Sequence, residues 1–234
     1  MNTQMVIARY NEDVSWLKNY ENVIIYNKGE KIQSKHQVFE LPNIGREAHT
    51  ILYHIFSNYE DLADNTVFLP GNPFDHLQHR YHLSDPMMVE YFIRTQLMKI
   101  PKDFYMSNTY TPFHLGEVFD GMLSINKETL PIQYPLSDTL SVNMKMIWHD
   151  WWKKYIDPNN LIDHHKWTRI FWHSIFSIKK EAILSNTKDY YEYLLKDFEE
   201  VYPIEVNYFE SAWSYVFNVI DDNEIVDLRH NDIK

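Results

Sequence analysis

The sequence predicts an α/β fold, a mostly parallel central sheet flanked by helices in a single domain. Three observations carry that expectation. Short apolar runs rich in β-formers recur early in the chain, at Met5–Ala8, Val23–Tyr26 and Thr66–Leu69. Each stops abruptly in polar or turn-forming residues: Arg9-Tyr10-Asn11-Glu12-Asp13, Asn27-Lys28-Gly29 and Pro70-Gly71-Asn72-Pro73. A helical period then lies between the strands, with Ala48, Ile51, Leu52, Ile55, Phe56 and Tyr59 at i, i+3, i+4 spacing.

In chain order, Met5–Ala8 reads as a central strand buried on both faces, because nothing polar interrupts it. Val14, Trp16 and Leu17 start a short helix. Val23–Tyr26 is a second strand and His36–Leu41 a weaker third. Pro42-Asn43-Ile44-Gly45 leads into the periodic helix, with Arg46, Glu47, Thr50 and His54 off its apolar face. After Thr66–Leu69, the residues Pro70, Gly71 and Pro73 predict a kinked polar loop bearing Asn72, Asp75, His76 and His79. Asp85-Pro86 caps a further helix whose inner face is Val89, Phe92, Ile93, Leu97 and Ile100. Residues 101–140 contain Pro101, Pro112, Pro131 and Pro135 and read as loops with one or two strands. Ser141–Ile156 is expected to be helical, Trp167–Ile178 a strand, and Lys188–Glu199 and Asn207–Ile220 helices, before a polar tail.

Bulk composition narrows the function classes. The 234 residues carry 22 Lys plus Arg against 33 Asp plus Glu, a net charge of −11, which argues against nucleic acid as a partner because phosphate binding needs a positive field. The 44% of apolar residues excludes a disordered chain. With no cysteine, disulfides, thiolate metal sites and cysteine nucleophiles are excluded. No apolar run approaches membrane length, so the expectation is a chain without an integral membrane segment, located in the cytoplasm.

An apolar strand that ends in a polar, kinked loop is how open α/β sheets build sites, outside the carboxyl ends of their strands. Here the order is apolar strand, Tyr10-Asn11-Glu12, strand Val23–Tyr26 with Asn27-Lys28-Gly29, Asn43-Ile44-Gly45-Arg46 opening a helix, then Val67-Phe68-Leu69. That order resembles the nucleotide-binding half of glycosyltransferases of the GT-A fold. The opening Ala8-Arg9-Tyr10-Asn11-Glu12-Asp13, followed by Trp16-Leu17, is similar to a group of short glycosyltransferase-like proteins. Phe176–Ile183 with Tyr190-Tyr191, and Glu210-Ser211-Ala212-Trp213 with Phe217, fit the same group. The likeness covers most of residues 5–80 and parts of 170–220.

The resemblance implies a GT-A-like (Rossmann-like) domain over residues 1–220. Residues 1–100 would be the nucleotide-sugar-binding half and 101–220 the acceptor half, with 221–234 a polar C-terminal tail. It implies a transferase moving a sugar from a nucleoside-diphosphate sugar, a UDP-sugar first, to a carbohydrate or other hydroxyl acceptor. The alternative is a catalytically inactive sugar- or nucleotide-binding module of the same fold. The Asp-x-Asp that holds a divalent cation in such enzymes is absent; Pro70-Gly71-Asn72-Pro73-Phe74-Asp75 stands in its place. Asn72 and Asp75 offer oxygen ligands for Mn²⁺ or Mg²⁺. A metal-free route, with Arg46 or Arg80 neutralising the diphosphate, stays open.

Each candidate has a functional and a plain reading. Arg9, Tyr10, Asn11 and Glu12 are the implied nucleotide contacts, against a simple Asx-type turn. Asn43 and Arg46 lie at a helix N-terminus, which suits an anion, against ordinary capping with Arg46 in solvent. His76 suits a sugar or diphosphate contact; the spacing of His76, His79 and His82 matches no zinc signature. Asp163-His164-His165 lacks the acidic partners a phosphoesterase needs. Glu210 shares a helical face with Trp213 and Phe217 and is the first choice for a catalytic base, with Asp75 and Asp163 behind it; a structural ion pair is the alternative. Trp148, Trp151 and Trp152 at helical spacing read as core more than as a sugar-stacking surface, which Trp167 and Trp172 would extend.

Overall fold

The computed structural model describes residues 2–81, 86–98, 104–106, 113–114, 148–159, 167–168, 174–196, 198 and 205–218. Its strands are β1 (Thr3–Arg9), β2 (Val23–Asn27), β3 (Gln37–Glu40), β4 (Asn65–Pro70), β5 (Phe104–Met106), β6 (Phe113–His114), β7 (Trp167–Thr168) and β8 (Phe176–Lys179). Its helices are α1 (Arg46–Ser57), α2 (Pro73–Tyr81), α3 (Pro86–Phe92), α4 (Trp148–Tyr155), α5 (Lys180–Ile183), α6 (Lys188–Leu195) and α7 (Glu205–Val216).

Six strands form one mixed sheet in the order β3-β2-β1-β4-β8-β5. The first four run parallel, and β8 lies antiparallel to both β4 and β5. Because side chains alternate across a strand, the two faces separate cleanly. Val6, Ile24, Tyr26, Phe68 and Phe176 pack under α1, α4, α6 and α7. Met5, Ile7, Val23, Ile25, Val67 and Leu69 pack under Leu17, Tyr20, Leu77, Val89 and Phe92, from the Ser15–Asn19 3-10 turn and the Tyr20 that ends it, α2 and α3. Burial on both faces is why these strands read as unbroken apolar runs. The first layer is aromatic: Trp151 meets Phe209 at 5.0 Å between ring centroids, and Trp213 stacks on Phe217 at 5.6 Å. Such pairs contribute about 0.5–1.5 kcal/mol beyond area burial.

The chain runs from β1 outward to β2 and β3, and α1 then returns it across the sheet to β4 on the other side of β1. The direction of winding reverses between β1 and β4. Open α/β sheets place their ligands outside the carboxyl ends of the strands at such a reversal.

Several expectations need correcting. The kinked loop after Leu69 is helix α2, because Pro73 can take the first helical position without losing a needed N–H. Thr50 and His54, expected off the apolar face of α1, are fully buried in it. The strand expected over Trp167–Ile178 is not continuous: β7 pairs with β6 in a separate two-stranded sheet, while β8 joins the main sheet. Ser174, at φ 53°, turns the backbone out of the extended region just before β8. The helix expected to end at Glu199 stops at Leu195, and the last one starts at Glu205, two residues before Asn207. Trp151 and Trp152 are core residues, so neither presents a face to a sugar. The tail, Asp85, Ile100, Pro101, Pro112, Pro131, Pro135 and Ser141–Ile147 lie outside the described residues, as does Trp172.

Candidate functional site

At the carboxyl end of β1, Arg9 is 6% exposed and knots the loop together. Its Nε donates to Glu12 O (2.9 Å), and its Nη1 to Tyr10 O (2.8 Å), Asn27 Oδ1 (2.5 Å) and Glu30 O (3.0 Å). Asn27 in turn donates to Glu30 O and to Glu40 Oε2, both at 3.0 Å, which joins the ends of β1, β2 and β3. Gly29 has to be glycine here, since a Cβ would fall 1.9 Å from Tyr10 O. Asn11 Oδ1 accepts Glu30 N–H at 2.8 Å. Arg9 and Asn11 thus shape the loop, while the Tyr10 ring stands 50% exposed.

At the end of β4, Asn72 caps α2. Its Oδ1 accepts Phe74 N–H (3.2 Å), and its Nδ2 donates to Asp75 Oδ2 (2.7 Å). The two loops meet at Glu12 and Gly71. Glu12 Oε2 accepts Tyr10 N–H at 2.7 Å, and a Cβ on Gly71 would stand 2.6 Å from that oxygen. Trp16 closes the joint by donating its indole N–H to Gly71 O at 2.9 Å.

Two open clefts flank this joint and share Glu12, Asp13 and Ser15 as a dividing ridge. The first, about 360 Å³, adds Trp16, Asn72 and Phe74. The Trp16 and Phe74 rings meet edge to face at 5.5 Å. The second, about 410 Å³, adds Arg9, Asn11, Lys18, Lys35 and His36. Asp13 accepts both the N–H and the hydroxyl of Ser15 at 2.8 Å, and these bonds hold its carboxyl below the usual carboxylate range. Among the described residues, the first cleft is lined by carboxylates and no Lys or Arg, whereas the second carries both signs.

Lys28 and Arg46 meet at the start of α1. Gly45 and Arg46 both have positive φ, 56° and 43°. A Cβ on Gly45 would stand 2.4 Å from Phe198 Cδ1, so glycine is required on two counts. Lys28, buried just past β2, donates through Nζ to Ile44 O (2.7 Å) and Arg46 O (2.5 Å). Burial lowers its pKa to about 7, against the opposing pull of Glu47. Arg46 lies 3.5 Å from Glu47. Asn43 is half-buried in the same loop.

Asn11 and Glu12 line the second cleft, Glu12 and Asn72 the first, and Tyr10 N–H binds Glu12; Asp75 and the half-buried His76 lie in the first turn of α2, while Asn43 and Arg46 line neither cleft. Glu210 lies apart from them: it is half-buried on α7, in the layer under the opposite sheet face, and lines neither cleft. The side chains of His79 and Arg80, and all of His82, Asp163, His164 and His165, lie outside the described residues. For a divalent cation, the donors on offer are the oxygens of Glu12, Asn72 and Asp75, of the hard type that Mg²⁺ or Mn²⁺ takes. Among the described residues no three His, Cys, Asp or Glu gather as a ready ligand group. No helix of the described residues is long and apolar enough to cross a membrane.

Sequence reasoning passed over Lys28, Asp13, Trp16 and Phe74 as site residues. Asp13 and Trp16 belong to the opening motif itself, but Trp16 read as the apolar start of a helix. Nothing in the spacing signals that Phe74 would face Trp16 across a 55-residue separation in sequence between Trp16 and Gly71.

Comparison with curated proteins and with solved structures returns no match. A family model described as a protein of unknown function (DUF3431) matches residues 5–227, nearly the whole length, and the chain belongs to that family.

Proposed function

We propose that this protein is a glycosyltransferase that moves a sugar from a nucleoside-diphosphate sugar, a UDP-sugar first, to a hydroxyl acceptor such as a carbohydrate. The observation that carries the reading is the joint of Glu12 and Gly71 at the point where the strand order reverses, with an open cleft on each side. Open α/β sheets bind nucleotide ligands in such crevices. The exposed Tyr10 ring offers a stacking face for a base. Lys18 and Lys35 supply positive charge of the kind a diphosphate needs.

In the proposed reaction an acceptor hydroxyl attacks the anomeric carbon. The bond from that carbon to the diphosphate oxygen breaks, and the nucleoside diphosphate leaves with the electron pair. The hydroxyl proton passes to a carboxylate. Glu12 and Asp75 stand at the crevice and are proposed for that task ahead of Glu210. The alternative to the lysines is a Mn²⁺ or Mg²⁺ ion held by Asn72 and Asp75, whose charge would stabilise the leaving group in their stead.

A second reading, a sugar- or nucleotide-binding module without turnover, draws on the Asn72–Asp75 hydrogen bond, which occupies both side chains with each other. Thermal melting with UDP-, GDP- and TDP-sugars, with and without Mn²⁺, tests the common ground of both. A ligand at a hundred times its dissociation constant stabilises by about 2.7 kcal/mol, and no shift with any donor contradicts both readings.

A further inference from the structure

The two clefts share a wall but differ in charge, and that difference assigns them different parts of a ligand. We propose that the Trp16–Phe74 cleft is the subsite for the sugar residue, and that it selects neutral or amine-bearing sugars over sugars that carry a carboxylate. This rests on the reading of the crevice as a nucleotide-sugar site.

Three features of the cleft support the assignment. Trp16 and Phe74 are half-buried and give it an aromatic wall, against which the C–H face of a pyranose packs. Trp16 is held in place by its bond to Gly71 O, so the wall is preorganised. The polar lining is dominated by acceptors: ionised carboxylates only accept hydrogen bonds, and a sugar hydroxyl can only satisfy them by donating. Asp13 remains ionised because Ser15 N–H and O–H both bind its carboxylate. Glu12 is fixed by Tyr10 N–H.

The same lining penalises an acidic sugar. Among the described residues no Lys or Arg lines this cleft, so a sugar carboxylate placed there would face Glu12 and Asp13 without a cation in the described lining. The cationic groups lie across the ridge, in the cleft with Lys18 and Lys35. A donor straddling the ridge would put its anionic part with the lysines and its neutral ring with the aromatics.

The test is ligand-observed saturation-transfer NMR on the full chain. The probes are the methyl glycosides of glucose, galactose and mannose, each paired with its uronate, and UDP alone. In any pair that binds, the neutral member is expected to bind about tenfold more tightly than its uronate at low salt. Asp13→Asn, and separately Glu12→Gln, should narrow that gap severalfold, with circular dichroism confirming the fold. Ser15→Trp, at an exposed position on the ridge, should abolish sugar binding. Uronates that bind as tightly as their neutral partners, or a gap that neither variant moves, overturn the proposal. So does UDP binding with no neutral glycoside bound, an outcome that leaves the donor reading intact. Neutral glycosides bound with no nucleotide bound would keep the sugar cleft and remove the transferase reading.

Discussion

Glu12 and Gly71 are in contact across the mouth of the sheet: the place a Cβ would take on Gly71 lies 2.6 Å from Glu12 Oε2 and 3.1 Å from its Cβ. The two residues belong to the loops after β1 and β4, the strands between which the winding direction reverses. Gly71→Ala should therefore push Glu12 off Tyr10 N–H. The expected stability loss is about 1 kcal/mol, typical of overpacking, with a larger loss of ligand affinity. Urea unfolding and donor titration on the same variant would separate the two effects.

Arg9 should behave as a positioning residue. Its guanidinium serves four acceptors in a buried setting, and only a planar fork reaches them together. Arg9→Ala leaves Asn27 Oδ1 and three carbonyls short of a donor, at an expected cost of about 3 kcal/mol. Arg9→Lys should recover less than half of that, as read from urea midpoints at constant m.

The structure predicts a stability that climbs with pH in two steps. His49 and His54 have pKa values lowered by burial from 6.5 to about 4, with Lys28 adding to the effect at His49. Tyr26 Oη and Asn58 Nδ2 lie 3.1 and 3.3 Å from His54 Nδ1, and the buried Nε2 has no hydrogen-bond partner among the described residues. In the unfolded chain these histidines take up protons below about pH 6.5, while the folded ones stay neutral to about 4. Stability is thus present above 6.5 and lost as pH falls toward 4, by at most about 3 kcal/mol per histidine. His54→Gln should flatten this limb in pH-dependent unfolding.

Lys28 governs the second step. Its folded pKa, lowered by burial to about 7, sits below the unfolded 10.5. Between those values the unfolded chain binds more protons, so stability rises with pH from about 7 to about 10.5. Lys28→Met should remove that rise and loosen the turn at Ile44 and Arg46, whose carbonyls lose their donor.

Asn72→Asp tests the departure from the expected acidic pair. It replaces the N–H that donates to Asp75 Oδ2 with a second carboxylate. Without metal, the variant should be destabilised by about 1 kcal/mol through like-charge repulsion and the lost hydrogen bond. Millimolar Mn²⁺ should restore its melting temperature and leave the parent nearly unmoved. Equal Mn²⁺ responses in both proteins would argue against this loop as a cation site.

The sheet was legible because its strands are buried on both faces, so Met5–Ala8, Val23–Tyr26 and Thr66–Leu69 carry their structure in unbroken apolar runs. Helix α1 was legible from its period, although His54 and Thr50 were misplaced because a polar side chain gives no local sign that it will be buried beside Tyr26. Pro73 concealed α2: proline near glycine signals a stop, and only the Asn72 cap shows that it starts a helix. Tyr10–Glu12 and Asn72 were legible as loop residues beyond strand ends, from the polar and turn-forming residues that stop each apolar run. The cleft was not, since Trp16 and Phe74 are distant in sequence and meet only when β1 and β4 pair. The buried Lys28 looked like a turn residue because its burial depends on the carbonyls of Ile44 and Arg46, which are supplied from the next loop.

The central claim, transfer from a nucleotide sugar at the Glu12–Gly71 crevice, is tested most directly by nucleoside diphosphate release. The protein would be incubated with UDP-, GDP- and TDP-sugars, with and without Mn²⁺, and free diphosphate followed against a protein-free control. The account predicts release from at least one donor above the control rate, at least about tenfold slower in Glu12→Gln or Asp75→Asn. Binding of a donor with no release by the parent protein would contradict it in favour of the binding module. Neither binding nor release would contradict the site assignment altogether.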